Sequence, residues 1–383
     1  MILWRRELME RKKPSFLPAL KSIPAIAKVA ILSITGICLI CLALWYGNVL
    51  NFDPPPEVVP SAQTDPLNPE LLTTQTDPLN PELLTTQTDP LNPELITTQT
   101  DPGNLIYQGE VQNLPWSGWW WPFHVSLPYH LYDPRGPMDK YDALAVAQGL
   151  PNPESRAWER QHHYADGPGE EWFGHCNGWA AASVLEPEPQ SARTLAGIQF
   201  NPSDMKGLLA EWHWWDPAVA FYGSRYDGPG DDIDDIYPHQ FHRVLIDFIG
   251  EKRRPIIMDI RGGTQETNSP QIWNYPAYRY QMEYQPDRNQ PDRTHVRCRV
   301  WFAYTAHPDY QGTRSSMKVY YYWITGDQRR PTAGGWERSI DGGWNTVGDS
   351  RRDHPDFLWY PASATQHQVL SRRLIDQIIS GRG

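Results

Sequence analysis

The chain has 383 residues, 40% of them hydrophobic and 21% charged, with a formal net charge of −11. That is room for one or two domains and a sizeable core. Residues 1–28 hold seven Lys/Arg and two Glu (+5), so the remainder carries −16. Such an acidic body excludes a nucleic-acid binder, which needs a basic face to displace counterions. Eighteen Trp and 37 Pro point to a loop-rich, aromatic protein and exclude a plain helical bundle.

The basic segment 1–28 precedes Val29–Tyr46, a run of 18 residues without a charge. It is long enough to cross a bilayer's hydrocarbon core, with Trp45 and Tyr46 at the interface. The positive flank places the N-terminus in the cytoplasm, so 29–47 is expected to be a single-pass signal anchor with everything after it outside. A cleaved signal peptide is the alternative, but no small-x-small site follows the run. The block 64–72 then recurs at 76–84 and 88–96, and a fourth copy fails after Pro102. Residues 51–103 contain eleven Pro, nine Asp/Glu and no Lys or Arg. Such a segment is extended and self-repelling, which makes 48–103 a repeat linker and 104–383 the folded domain.

That domain opens with the Trp-rich stretch 114–122, read as a clasp on the core, with carbohydrate stacking as the alternative. Residues 139–149 read as a short helix with a glycine stop. The most informative stretch is 170–185. Its Ala-rich half is a good helix former, and Gly174 and Gly178 flank its start. Cys176 therefore sits at a helix N-terminus, where the positive end of the macrodipole favours the thiolate. Thiol acyl-transfer enzymes place their nucleophile there, with backbone N–H groups free to receive an oxyanion. The competing reading is a disulfide, since Cys176 and Cys298 are the two cysteines of an exported domain.

The motif Trp172-Phe-Gly-x-Cys-x-x-Trp-Ala, followed by Leu185-Glu-x-Glu-Pro, resembles the catalytic-cysteine region of the transglutaminase-elicitor family. Those are calcium-dependent transglutaminases of oomycete cell walls, with bacterial relatives. The resemblance continues in order through 200–209, 235–242 and 255–259. It is most specific at Ile272-Trp-Asn-Tyr-Pro-Ala-Tyr-Arg-Tyr280, which keeps the Trp273, Asn274 and Pro276 of the family's exposed peptide. It covers about 116–361, although His175 and Asn177 depart from the expected flanks of the cysteine. The resemblance implies a papain/transglutaminase-like α+β core, with a helix-borne cysteine followed by an antiparallel sheet. It also implies acyl transfer from protein glutamine to an amine through a Cys176 thioester.

A thiolate needs a base within hydrogen-bond reach and a group to orient that base. On the family's Phe-His pair and the chain order Cys, His, Asp, the expected base is His242 and the orienter Asp259. His354 is the second choice and His295 the third. His239 and His242 have a helical zinc-pair spacing but no further ligands in view. Asp231, Asp232 and Asp234 form an acidic turn suited to calcium, though without EF-hand spacing, and a solvated turn is the alternative. No other cofactor is implied. Strands are expected at 254–260, 272–284, 294–305 and 317–325, and a helix at 366–380. The expected partners are proteins offering glutamine and amine groups, and the membrane. A papain-like thiol hydrolase and an inactive Trp-rich binding module are the alternative functions.

Overall fold

The computed structural model describes residues 96–101, 104–224, 235–260, 271–338, 349–351 and 353–381. In chain order its elements are β1 (Ile96–Asp101), β2 (Asn104–Glu110), α1 (Pro137–Ala147), α2 (Ser155–His162) and α3 (Cys176–Leu185). Next come β3 (Arg193–Leu195), β4 (Ile198–Phe200), α4 (Pro202–His213) and β5 (Ala218–Gly223). Helix α5 (Pro238–Leu245) runs on as a π-helical turn (Ile246–Glu251). The chain then forms β6 (Ile256–Asp259), β7 (Asn274–Pro286), β8 (Arg293–Ala303), β9 (Ser315–Gly326), β10 (Pro331–Trp336), β11 (Phe357–Pro361) and α6 (Arg372–Ser380). The compact unit that holds them spans Pro90–Gly383.

Nine strands form one sheet in the order β10-β9-β8-β7-β6-β11-β5, with β2 also on β7 and β1 on β2. Strand β7 is long enough to serve two partners along one edge: β6 pairs with 274–277, and β2 with 279–283. Every pairing in the sheet is antiparallel. The alternating Tyr, Val and Trp of β7–β9 divide the sheet into two faces, as a period of two requires. Met282, Cys298 and Tyr320 stand opposite one another and are buried. Their neighbours Glu283 and Arg297 pair on the other face, where Arg299 joins the same carboxylate.

Helix α3 is built for close approach. Trp179 and Ala180–Ala182 are fully buried, and the Trp alone contributes on the order of 3 kcal/mol. A Cβ on Gly178 would lie 2.0 Å from the carbonyl oxygen of Ala210 in α4, so only glycine lets the two helices cross there. The same helix packs against β7, which brings its N-terminus to the start of that strand.

The expected α+β order is what the chain adopts, and the four expected strands are β6–β9 to within a few residues. Two boundaries differ. Strand β1 lies inside the stretch read as linker, because Ile96 and the threonines after it pair with β2 rather than following the proline repeat. The last helix starts at Arg372, since the His367 ring accepts the N–H groups of Val369 and Leu370 and holds a turn in front of it. Trp116 and Trp121 are buried in the core, as a clasp requires. Among the described residues no helix is long and apolar enough to cross a membrane. The expected anchor at 29–47 and nearly all of the repeat lie outside the described residues.

Candidate active site

Cys176 is the first residue of α3, and the Trp179 N–H closes the first helical turn on the His175 carbonyl (2.9 Å). The N–H groups at the start of the helix thus point out of its end, beside the sulfur. Gly174 is needed just before them, because a Cβ there would fall 2.5 Å from the Trp120 ring. The thiol is nearly buried, at 7% exposure. It donates to the carbonyl of Ile272 (3.7 Å) and receives the Asn274 side-chain N–H (3.7 Å). Asn274 is held in turn: its Oδ1 accepts the indole N–H of Trp359 in β11 (2.8 Å), which aims Nδ2 at the sulfur.

The β6–β7 pairing adds the remaining groups. Asp259 ends β6 directly opposite Asn274, and its Oδ1 accepts the backbone N–H of Trp273 (2.9 Å). The Trp273 ring meets Trp120 edge to face at 5.5 Å, so two half-buried indoles flank the segments on either side of the cysteine. Pro276 is buried opposite Ile257, two residues further along the pairing. Cys176, Asp259, Trp273 and Asn274, named from sequence, therefore share one corner of the fold.

The histidines do not join them. His242 is fully buried in a tyrosine pocket between α5 and the sheet, and its ring nitrogens meet Tyr322 Oη (2.9 Å), the Gln328 carbonyl (2.7 Å) and Tyr284 Oη (3.2 Å). Burial pulls its pKa down to about 4, so it is a neutral core group. The assignment of His242 as base is corrected on those contacts, which also leave it no nitrogen for a zinc pair with His239. His354 stacks on Trp336 and bonds to the Ser350 carbonyl (2.8 Å) and Asp235 (3.1 Å). His295 lies between Glu337 (2.8 Å) and Asp287 (3.2 Å). Those contacts engage both ring nitrogens of each histidine. Asp231, Asp232 and Asp234 lie outside the described residues.

Cys176 and Cys298 form no disulfide with each other, which overturns the disulfide reading. Cys298 faces Tyr322 in the core of β8, where burial pushes its pKa up and makes it inert. The sequence reading missed two features. One is Trp359, whose indole orients Asn274. The other is a buried group formed by Glu159, His163, His175 and Glu211, whose ligand atoms lie within 4.8 Å of one another. Glu159 and His163 stand four apart on α2 and its C-cap, which was a legible signal.

The described residues thus place a helix-borne cysteine at the head of an antiparallel sheet, in an α+β arrangement. Residues 168–325, which carry that helix and strands β7–β9, match the transglutaminase elicitor family, and the resemblance read from sequence holds there. The fold is similar to the crystal structure of the GP42 transglutaminase from Phytophthora sojae, with a TM-score of 0.53 and 19% identity. That similarity covers 74% of this chain and 92% of the other. No curated protein matches the chain.

Proposed function

We propose that the domain is a thiol acyltransferase of the transglutaminase type, exported and tethered by residues 29–47 through the linker. The observation that carries this is the Asn274 N–H aimed at Cys176 Sγ at the N-terminus of α3. A donor and a helix end on the same sulfur both favour thiolate over thiol. In the reaction, Sγ adds to the carboxamide carbon of a glutamine side chain. The C–S bond forms, negative charge moves onto the carbonyl oxygen, and the N–H groups at the start of α3 stabilise it. Collapse breaks the C–N bond, and the nitrogen takes up the proton that the Cys176 thiol gave up and leaves as ammonia. A primary amine then attacks the thioester, the C–S bond breaks, the amine's proton returns to the sulfur, and an isopeptide bond remains.

The family match and the GP42 fold support the reading, and the partners it requires are surface proteins carrying glutamine and amine groups. Calcium held by Asp231, Asp232 and Asp234 belongs to the same reading. Incorporation of a fluorescent amine into a glutamine-rich acceptor, with and without chelator, tests the proposal. Cys176-dependent incorporation supports it. Release of free glutamate without incorporation would make the domain a thiol hydrolase, and inertness toward both substrates would leave a binding module.

A further inference from the structure

Four side chains from three separate parts of the chain converge behind the nucleophile helix. Glu159 is on α2 and His163 caps its end; His175 precedes Cys176; Glu211 is on α4. All are at least nine-tenths buried. His175 Nε2 lies 2.7 Å from Glu211, 3.3 Å from Glu159 and 3.2 Å from His163 Nδ1. His163 Nδ1 lies 2.8 Å from Glu159 and 3.3 Å from Glu211. A tetrahedral ion bound at 2.0–2.1 Å separates its ligands by about 3.3 Å, and these spacings, to one or the other oxygen of Glu159, run from 2.7 to 3.3 Å with the four ligand atoms all within 4.8 Å of one another.

The outer contacts fit ligands better than a private ion-pair network. His175 Nδ1 faces the Trp121 carbonyl at 3.1 Å and must carry a proton there. That leaves Nε2 as the lone pair turned inward, the arrangement metal-binding histidines adopt. Without a metal, Nε2 also needs a proton to meet the Glu211 carboxylate, and the same nitrogen lies only 3.2 Å from His163 Nδ1. Glu211 is held from behind: His367 accepts two backbone N–H groups at Nδ1, so its Nε2 donates to Glu211 Oε1 (2.8 Å). Phe123 stacks on His163 at 4.7 Å, and Trp214 lies edge-on to both histidines, which keeps the site dry. Two carboxylates and two neutral imidazoles balance the charge of one dication.

We propose that Glu159, His163, His175 and Glu211 bind one zinc ion as a closed, four-ligand structural site. It ties α2 and α4 to the residue that precedes Cys176 and so fixes the start of the nucleophile helix. With no open position, the ion is not assigned a chemical step. The proposal is independent of the acyl-transfer reading, and its test reads metal rather than activity.

The full-length chain is purified without added metal or chelator and its metal content measured. Zinc is then stripped with a strong chelator and returned as the zinc salt alone. One zinc per chain is expected, with the Tm falling by roughly 10 °C on stripping and recovering on reconstitution. X-ray absorption should show two nitrogen and two oxygen ligands at about 2.0–2.1 Å. His163→Gln and Glu211→Gln should each lower zinc stoichiometry at least tenfold; should either fail to fold, the stripping and absorption measurements on the native chain still decide. Metal-free protein whose Tm is indifferent to zinc and chelator overturns the site, as does zinc retained in both variants.

Discussion

Asn274→Asp is the sharpest perturbation of the cysteine corner. The substitution keeps an oxygen for the Trp359 indole at the position of Oδ1, and so preserves the packing of β11 on β7. It replaces the N–H that faces Cys176 Sγ at 3.7 Å with a carboxylate oxygen. A negative charge about 4 Å from a forming thiolate costs about 4 kcal/mol at the effective dielectric of a partly buried site. At 1.36 kcal/mol per decade, less some screening, the thiolate population falls roughly 100- to 1000-fold at fixed pH. Asn274→Ala should behave differently. It removes the donor without adding charge and strands the buried Trp359 N–H, at roughly 1–3 kcal/mol of stability. The assay is the alkylation rate of Cys176 by iodoacetamide, read by mass spectrometry of its peptide, beside thermal melting. If Asn274→Asp is alkylated at the native rate while the fold melts normally, Asn274 does not act on the sulfur and the site's electrostatics are wrongly drawn.

Three further outcomes follow from the structure. His242→Gln should leave Cys176 alkylation and amine incorporation within a few-fold of native, whereas loss of a true base costs about 10²–10⁴-fold. The His242 pKa is depressed in the fold, to about 4, against about 6.5 in the unfolded chain. Its contribution is therefore present above pH ~6.5 and lost as pH falls toward 4, and urea melts should show that acid loss flattened in His242→Gln. Gly178→Ala puts a methyl 2.0 Å from the Ala210 carbonyl, and forcing α3 from α4 should cost roughly 1–3 kcal/mol, read as a lower urea midpoint. Thiol labelling after denaturation, mapped by peptide, should find both Cys176 and Cys298 reduced, because they are not bridged to each other; a Cys176–Cys298 peptide in a non-reducing digest would refute the arrangement.

The parts legible in sequence are those whose signal is local. The Ala-rich run after Cys176 and the alternation in β7–β9 declare their own structure, and so does the peptide that carries Trp273 and Asn274. Asp259 reaches the cysteine corner by pairing with Asn274, a consequence of two adjacent strands that chain order anticipates. His242 was misread because its helix and chain order look the same whether the ring faces a nucleophile or a core. What decides is a set of contacts made from residues far along the chain, Tyr284, Tyr322 and Gln328. The four-ligand group was hidden for the same reason. Only the Glu159–His163 spacing is local, while His175 and Glu211 arrive through the crossing of α3 and α4 that Gly178 permits.

The central claim is that Cys176 carries the acyl group. Incubating the protein with a glutamine peptide and no amine, quenching in acid and mapping the digest tests it most directly. The account predicts the peptide, less ammonia, attached to Cys176 through a bond that hydroxylamine cleaves, with no adduct in Cys176→Ala. A folded native protein that carries no adduct, or an adduct that survives in Cys176→Ala, contradicts it.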